Sequence, residues 1–229
     1  MKQPPGRKSP RSTAPLLIGA HYDTVARSPG ADDNASALVV LLEVARRLDG
    51  GRLTRPVWLV AFSLEEAGCL GSAAFAERVM QRKQPLTGAL ILECVGYARS
   101  EEATQQSPPG VPISVPTRGD FLAIVGNEAS RLLVEAVSQA AARAAPALPT
   151  VPLAVPGDGT VLPDVRRSDH APFWDRGYPA VMLTDTANFR NPHYHRPTDM
   201  IDTLNLDFLE AVIETVIASV EDLAGGARA

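Results

Sequence analysis

Cysteine and histidine are both scarce in this chain, and each scarcity excludes something. Two cysteines in 229 residues, Cys69 and Cys94, cannot supply the disulfide framework of a small secreted domain; they read as two buried free thiols. No CxxC pair and no HExxH motif occurs, which removes the commonest zinc fingers and the zincin peptidases. No apolar run is long enough to span a bilayer, so no membrane partner is expected. Lys and Arg number 22 against 26 Asp and Glu, a net charge of −4 with the signs mixed along the chain. The clustered cations that hold nucleic-acid phosphates are therefore missing, and nucleic acid is not an expected partner either.

What is present is the composition of a globular domain of ordinary size, with 45% hydrophobic and 21% charged residues. Residues 1–15, basic and proline-rich, read as a disordered lead-in, and residues 16–229 as one catalytic domain. The lead-in has no apolar signal core, which places the protein in the cytoplasm if this N-terminus is the genuine one. From Leu16 onward strands and helices alternate. PLLIGAH, VWLVAFS, ALILECV, FLAIVG and PAVMLT read as strands. Helices are expected over Ser36–Leu48 (capped by Asn34 or Ser36 and stopped at Gly50-Gly51), Ser72–Arg82 and Glu128–Ala144. Leu206, Leu209, Val212, Ile213, Val216 and Val220 form one face of a terminal helix. Residues 99–119 and the stretch around VPGDGTVLPD are irregular and rich in proline, and segments of that length are functional or mobile. The pattern predicts an α/β three-layer sandwich with a mostly parallel central sheet.

In such sheets ligands gather at the carboxyl ends of the strands, and the polar clusters GAHYDT, SLEEAG, LECVGY and TDTANFRNPHYH each follow an apolar strand. His21 and Asp23 are two residues apart and point to one side, so an imidazole there could bind a metal while the carboxylate fixes its tautomer. PGADDNAS sets two aspartates before a helix, where capping and the helix dipole explain them as well as a bridging ligand does. Glu65 and Glu66 repel each other and, if buried, need a cation or a proton between them. Glu93 lies inside ALILECV, where an unpaired charge would cost several kcal/mol, so a cation partner is expected. Three of the four histidines fall between His170 and His195. A mixed imidazole and carboxylate set suits zinc, manganese or cobalt.

Taken in order, GAHYDT, GADDNAS, SLEEAGCLGS, LECVGY, SDHAPF and NPHYHRPTD resemble the M28 family of zinc aminopeptidases from about Leu16 to Leu223. The resemblance implies two Zn2+ ions (Mn2+ or Co2+ being alternatives) held by His21, Asp32, Glu66, Glu93 and His195. Asp32 would bridge them, with the Asp32–Asp33 peptide cis, and Asp23 would orient His21. Glu65 would be the general base and Tyr194 would donate to the oxyanion, while Asp169, His170 and His193 would support the site without ligating. The implied activity is hydrolysis of the N-terminal residue of a peptide. Rivals on the same scaffold are a glutaminyl cyclase-like single-zinc acyltransferase, and a carboxypeptidase or amidohydrolase with Arg190 or Arg196 clamping a substrate carboxylate. A third rival is an inactive binding module, although such chains lose ligands and every position here keeps a competent side chain. Relatives usually carry a helix and an antiparallel strand pair ahead of the first strand, so the sheet is expected to lack N-terminal edge strands. An open edge of that kind would favour homo-oligomers.

Overall fold

Six apolar runs form one sheet in the computed structural model, which describes residues 14–48 and 53–225. The strands are β1 (Leu16–His21), β2 (Val57–Phe62), β3 (Gly88–Glu93), β4 (Leu122–Asn127), β5 (Thr150–Val155) and β6 (Ala180–Thr184). Five helices accompany them: α1 (Ala37–Leu48), α2 (Leu70–Gln81), α3 (Arg131–Ala144), the single turn α4 (Ala171–Trp174) and α5 (Leu206–Ala224). The order across the sheet is β2-β1-β3-β6-β4-β5; only the β4–β6 pairing is antiparallel.

Alternation along β1 shows why the layers form. Leu16, Ile18 and Ala20 enter the core beneath α1, α3 and α5, while Leu17 enters the opposite core with Phe62, Ile91, Phe173 and Trp174. Both faces are thus covered, which is why β1, β3, β4 and β6 are buried along their whole length. Gly19 is required by close approach: a Cβ there would lie 2.5 Å from the Phe62 ring and 2.9 Å from Ile91.

The sequence reading missed β5. Pro152 lies inside it, paired in register with Ile124, and an edge strand tolerates a residue without an N–H. The other edge, β2, is entirely apolar yet only half covered, with Leu59 40% exposed. Neither Asn34 nor Ser36 caps α1 as expected. The Asn34 side chain crosses to β3, donating to Leu92 O and accepting from Cys94 N–H, and Ser36 Oγ accepts from Val95 N–H. The Gly50-Gly51 stop and the lead-in up to Thr13 lie outside the described residues. Among the described residues no helix is long and apolar enough to cross a membrane.

β1, β2, β3 and β6 run in parallel, so their carboxyl ends share one rim. His21 pairs across to Phe62 at the ends of β1 and β2, and Glu93 to Thr184 at the ends of β3 and β6. Glu65 and Glu66 follow β2 after Ser63 and Leu64, and the 187–203 segment after β6 brings His195 back over the same rim.

Candidate metal centre

Five side chains converge above that rim in two groups that share one member. His21, Asp33 and Glu93 form the first, and Asp33, Glu66 and His195 the second, the offered atoms of each group lying within 4.8 Å of one another. Asp33 stands between them. Its Oδ1 is 3.2 Å from His21 Nε2 and its Oδ2 is 3.0 Å from His195 Nε2. Glu93 Oε2 lies 3.5 Å from His21 Nε2, and Glu66 Oε2 lies 3.2 Å from His195 Nε2.

The shared carboxylate is Asp33 and not Asp32, which corrects the sequence expectation. Asp32 is fully buried and belongs to neither donor group. Its Oδ1 accepts Gly96 N–H at 2.8 Å and its Oδ2 accepts Asn191 Nδ2–H at 2.7 Å. Burial and the charge of Asp32 push the Asp185 carboxyl well above its usual range, leaving it a proton to give to Asp32. Both oxygens of Asp32 are thus engaged by buried donors, and the cation-facing carboxylate is its neighbour. The cis peptide is likewise Asp33–Asn34 and not Asp32–Asp33.

A second correction concerns Asp23. The partner of His21 Nδ1 is the backbone carbonyl of Asp23 at 3.0 Å, while the carboxylate is 3.8 Å away. That carboxylate instead accepts the N–H groups of Glu65 and Glu66 at 3.1 and 3.2 Å. Asp23 therefore orients both sides of the centre, His21 through its carbonyl and the glutamate pair through its side chain. Donation from Nδ1 leaves Nε2 as the face turned to the carboxylates.

Electrostatically the arrangement is incomplete without a cation. His21 Nε2, Asp33 Oδ2 and Glu66 Oε1 are buried and engage in no aligned hydrogen bond. Burial alone would lower the pKa of His21, yet the carboxylates of Asp33, Glu93 and Glu65 push it up to about 12. Burial and surrounding acids raise Glu65 to about 9 and Glu66 to about 7. The Asp33 carboxyl, which burial would raise, is held low by His195 and His21. Protons occupy places that a divalent cation would take with less repulsion, and the donor set of two imidazoles and three carboxylates fits one.

Glu65 belongs to neither group. Its Oε2 is 3.9 Å from His21 Nε2, and its Oε1 accepts the Cys69 thiol at 3.5 Å. Tyr194 stacks on the His195 ring at 3.8 Å, and burial followed by nearby Cys94, Asp33 and Glu93 keeps its hydroxyl protonated. Ser168 Oγ–H donates to Glu93 Oε2 at 2.6 Å, a contact that SDH in the sequence did not announce. Asp169 is buried, its carboxyl raised to about 7 by that burial. His193 meets Thr198 Oγ1 at 3.0 Å, away from both groups. Arg190 cannot clamp a substrate: its guanidinium donates to Gln105 Oε1, Tyr97 O and Phe121 O and is buried against the Phe121 ring.

His170 lies apart from the chemistry and gives a measurable pH signature. Its Nε2 meets Val165 O at 2.7 Å, its Nδ1 is buried without a partner, and burial lowers its pKa from 6.5 to about 4. A histidine whose folded pKa is depressed stabilises the fold above the unfolded value. That stability is lost as pH falls from about 6.5 through about 4. In chelator, urea unfolding should show His170→Phe losing less stability than wild type across this window, by up to about 3 kcal/mol. Equal losses in the two proteins would refute the assignment.

An apolar recess opens beside the centre. Phe121, Val125, Leu153, Met182 and Phe189 line it, with Glu93 and Tyr194 among its residues as well. Val111, Ile113 and Val115 of the irregular 99–119 stretch close one side, so that stretch contributes to the pocket.

Comparison with known proteins adds to this geometry. The model of peptidase family M28 matches residues 3–220. YfbL of Escherichia coli (strain K12) is 36% identical over 216 residues, covering 88% of this chain and 65% of that protein. Leucine aminopeptidase 1 of Trichophyton equinum is 26% identical over 232 residues, covering 93% of this chain and 56% of that protein. The solved structure of BSAP, a zinc aminopeptidase from Bacillus subtilis, superposes with a TM-score of 0.70 at 25% identity, covering 98% of this chain and 49% of BSAP. The chain thus spans about half to two thirds of the length of these relatives.

Proposed function

The chain belongs to peptidase family M28, and from that premise we propose that it is a zinc aminopeptidase. In this reading it removes the N-terminal residue of peptides, with two zinc ions held by His21, Asp33, Glu66, Glu93 and His195. The observation that carries the reading is the division of Asp33, one oxygen toward His21 and the other toward His195. One carboxylate serving two donor groups fits a pair of cations, and a single-zinc cyclase has no use for the second group.

When bound, such ions supply Lewis acidity and an acidified water. The rest falls to the chain's own residues. Glu65, beside the ligand groups but outside them, accepts the attacking water's proton and returns it to the leaving amine. The Tyr194 hydroxyl, kept protonated by its surroundings, donates to the oxyanion as charge develops there. The apolar recess takes the side chain of the N-terminal residue, which favours leucine, methionine and phenylalanine over charged residues. Desolvating a side chain of that size is worth about 1.5–3 kcal/mol, or roughly 10- to 100-fold in specificity.

Metal analysis of protein purified without chelator, run beside a panel of aminoacyl-nitroanilides, tests this. About two zinc equivalents, with leucyl or phenylalanyl substrates cleaved fastest and chelator abolishing turnover, is the expected result. One equivalent together with cyclisation of N-terminal glutamine would replace the proposal with the cyclase. Two equivalents with release of C-terminal residues only would replace it with a carboxypeptidase.

A further inference from the structure

The two acidic pairs at the centre are held by the same device. Asp23, two residues after His21, receives the N–H groups of Glu65 and Glu66. Asp199, four residues after His195, receives Asp32 N–H on Oδ1 at 2.9 Å and Asp33 N–H on Oδ2 at 3.2 Å. Each segment that carries a histidine of the centre therefore closes, with its next aspartate, on the backbone of a segment that carries carboxylates. A second tie reinforces the latter clamp, since Ala31 N–H donates to the Asp199 carbonyl at 3.2 Å.

We infer that Asp199 is a positioning residue for the shared carboxylate: its side chain fixes the Asp32–Asp33 backbone and so sets where Asp33 stands between His21 and His195. The inference rests on the metal reading of the centre. Asp199 is fully buried and belongs to neither donor group. Two consecutive peptide N–H groups on one carboxylate leave the residues carrying them little freedom to rotate, because both bonds are charge-assisted and enclosed. Asp33 has to face two imidazoles at once, so a small rotation of its backbone lengthens one contact as it shortens the other. Coupling between the two metal positions should suffer before either position is lost.

The test compares wild type, Asp199→Asn and Asp199→Glu by titrating Co2+ into the metal-free chain and recording electron paramagnetic resonance of the loaded protein. Asparagine keeps the shape but sets an amide N–H2 against a backbone N–H. It should weaken the second equivalent by about 10- to 100-fold and diminish the spin coupling that a bridging carboxylate carries between two cobalt ions. Glutamate, which keeps both acceptor oxygens, should restore much of each. Melting of the metal-free proteins serves as the control. Unchanged cobalt affinity and coupling in Asp199→Asn would overturn the inference, as would a weakening matched by an equal fall in metal-free stability, which would make Asp199 a fold residue only. Should asparagine prevent folding, Asp199→Ser takes its place with the same two outcomes: wild-type metal-free stability with weakened, uncoupled cobalt supports the inference, and unchanged cobalt affinity and coupling overturn it. A wild-type chain that binds no cobalt would instead overturn the metal reading itself.

Discussion

Asp33→Asn should empty both metal positions together, whereas Asp32→Asn should keep the metals and lose fold stability. The two residues are adjacent and chemically identical, so the contrast isolates geometry. Asp33 faces His21 and His195 with its two oxygens and is the member common to both donor groups. Removing its charge leaves two imidazoles and two glutamates around a gap. Breaking a buried charged contact of this kind costs roughly 3–5 kcal/mol, which corresponds to about 10²- to 10⁴-fold in affinity. Asp32 receives Gly96 N–H and Asn191 Nδ2–H in a fully buried place. An asparagine there must turn its N–H2 against one of those donors, at about 1–3 kcal/mol of folding free energy. Chelator-competition titration reads the first effect, and thermal unfolding of the metal-free proteins reads the second. Retention of both equivalents by Asp33→Asn, with their loss from Asp32→Asn, would return the bridging role to Asp32.

That contrast also marks where the sequence stops being readable. Period-2 burial, strand polarity and the rim are legible because each depends on apolar residues and on which polar cluster follows a strand. His21 and Glu93 could be singled out in this way, Glu93 on the cost of its burial alone, whereas Glu66 over Glu65 and His195 over His193 followed from the family resemblance. Choosing between Asp32 and Asp33 depends on backbone torsions and on a carboxylate 166 residues away in sequence, Asp199, whose partners no local pattern announces. Asp23 departs from the sequence expectation for a related reason: residue spacing places its side chain near His21 but does not tell that its carbonyl takes Nδ1 and frees the carboxylate for Glu65 and Glu66. β5 was missed because Pro152 weakens any strand pattern, and only its edge position makes the proline tolerable.

Glu65→Gln should reduce kcat by about 10²- to 10⁴-fold, the usual worth of a general base, while metal content stays at the wild-type level. Glu65 and Glu66 share a backbone clamp in Asp23, yet only Glu66 enters a donor group, so neighbouring substitutions should separate cleanly. Glu66→Gln weakens the position it shares with Asp33 and His195, and Glu65→Gln leaves both positions intact. The pH profile supplies an independent readout. In the metal-free protein burial and the charges of Glu93 and Asp169 hold Glu65 at about 9, a state in which it carries its proton at neutral pH. In the proposed two-zinc protein the cations would reverse the sign of the local field and favour the carboxylate. Activity should then rise with pH as Glu65 ionises, and this acidic limb of kcat/KM should vanish from the residual activity of Glu65→Gln. Should Glu65→Gln lose a metal equivalent, Glu65 would be a ligand; should it keep both its metals and an unaltered acidic limb, the proton would be accepted elsewhere. Asp169, buried and raised to about 7, would then be the group to test next, because its charge already contributes to the field at Glu65.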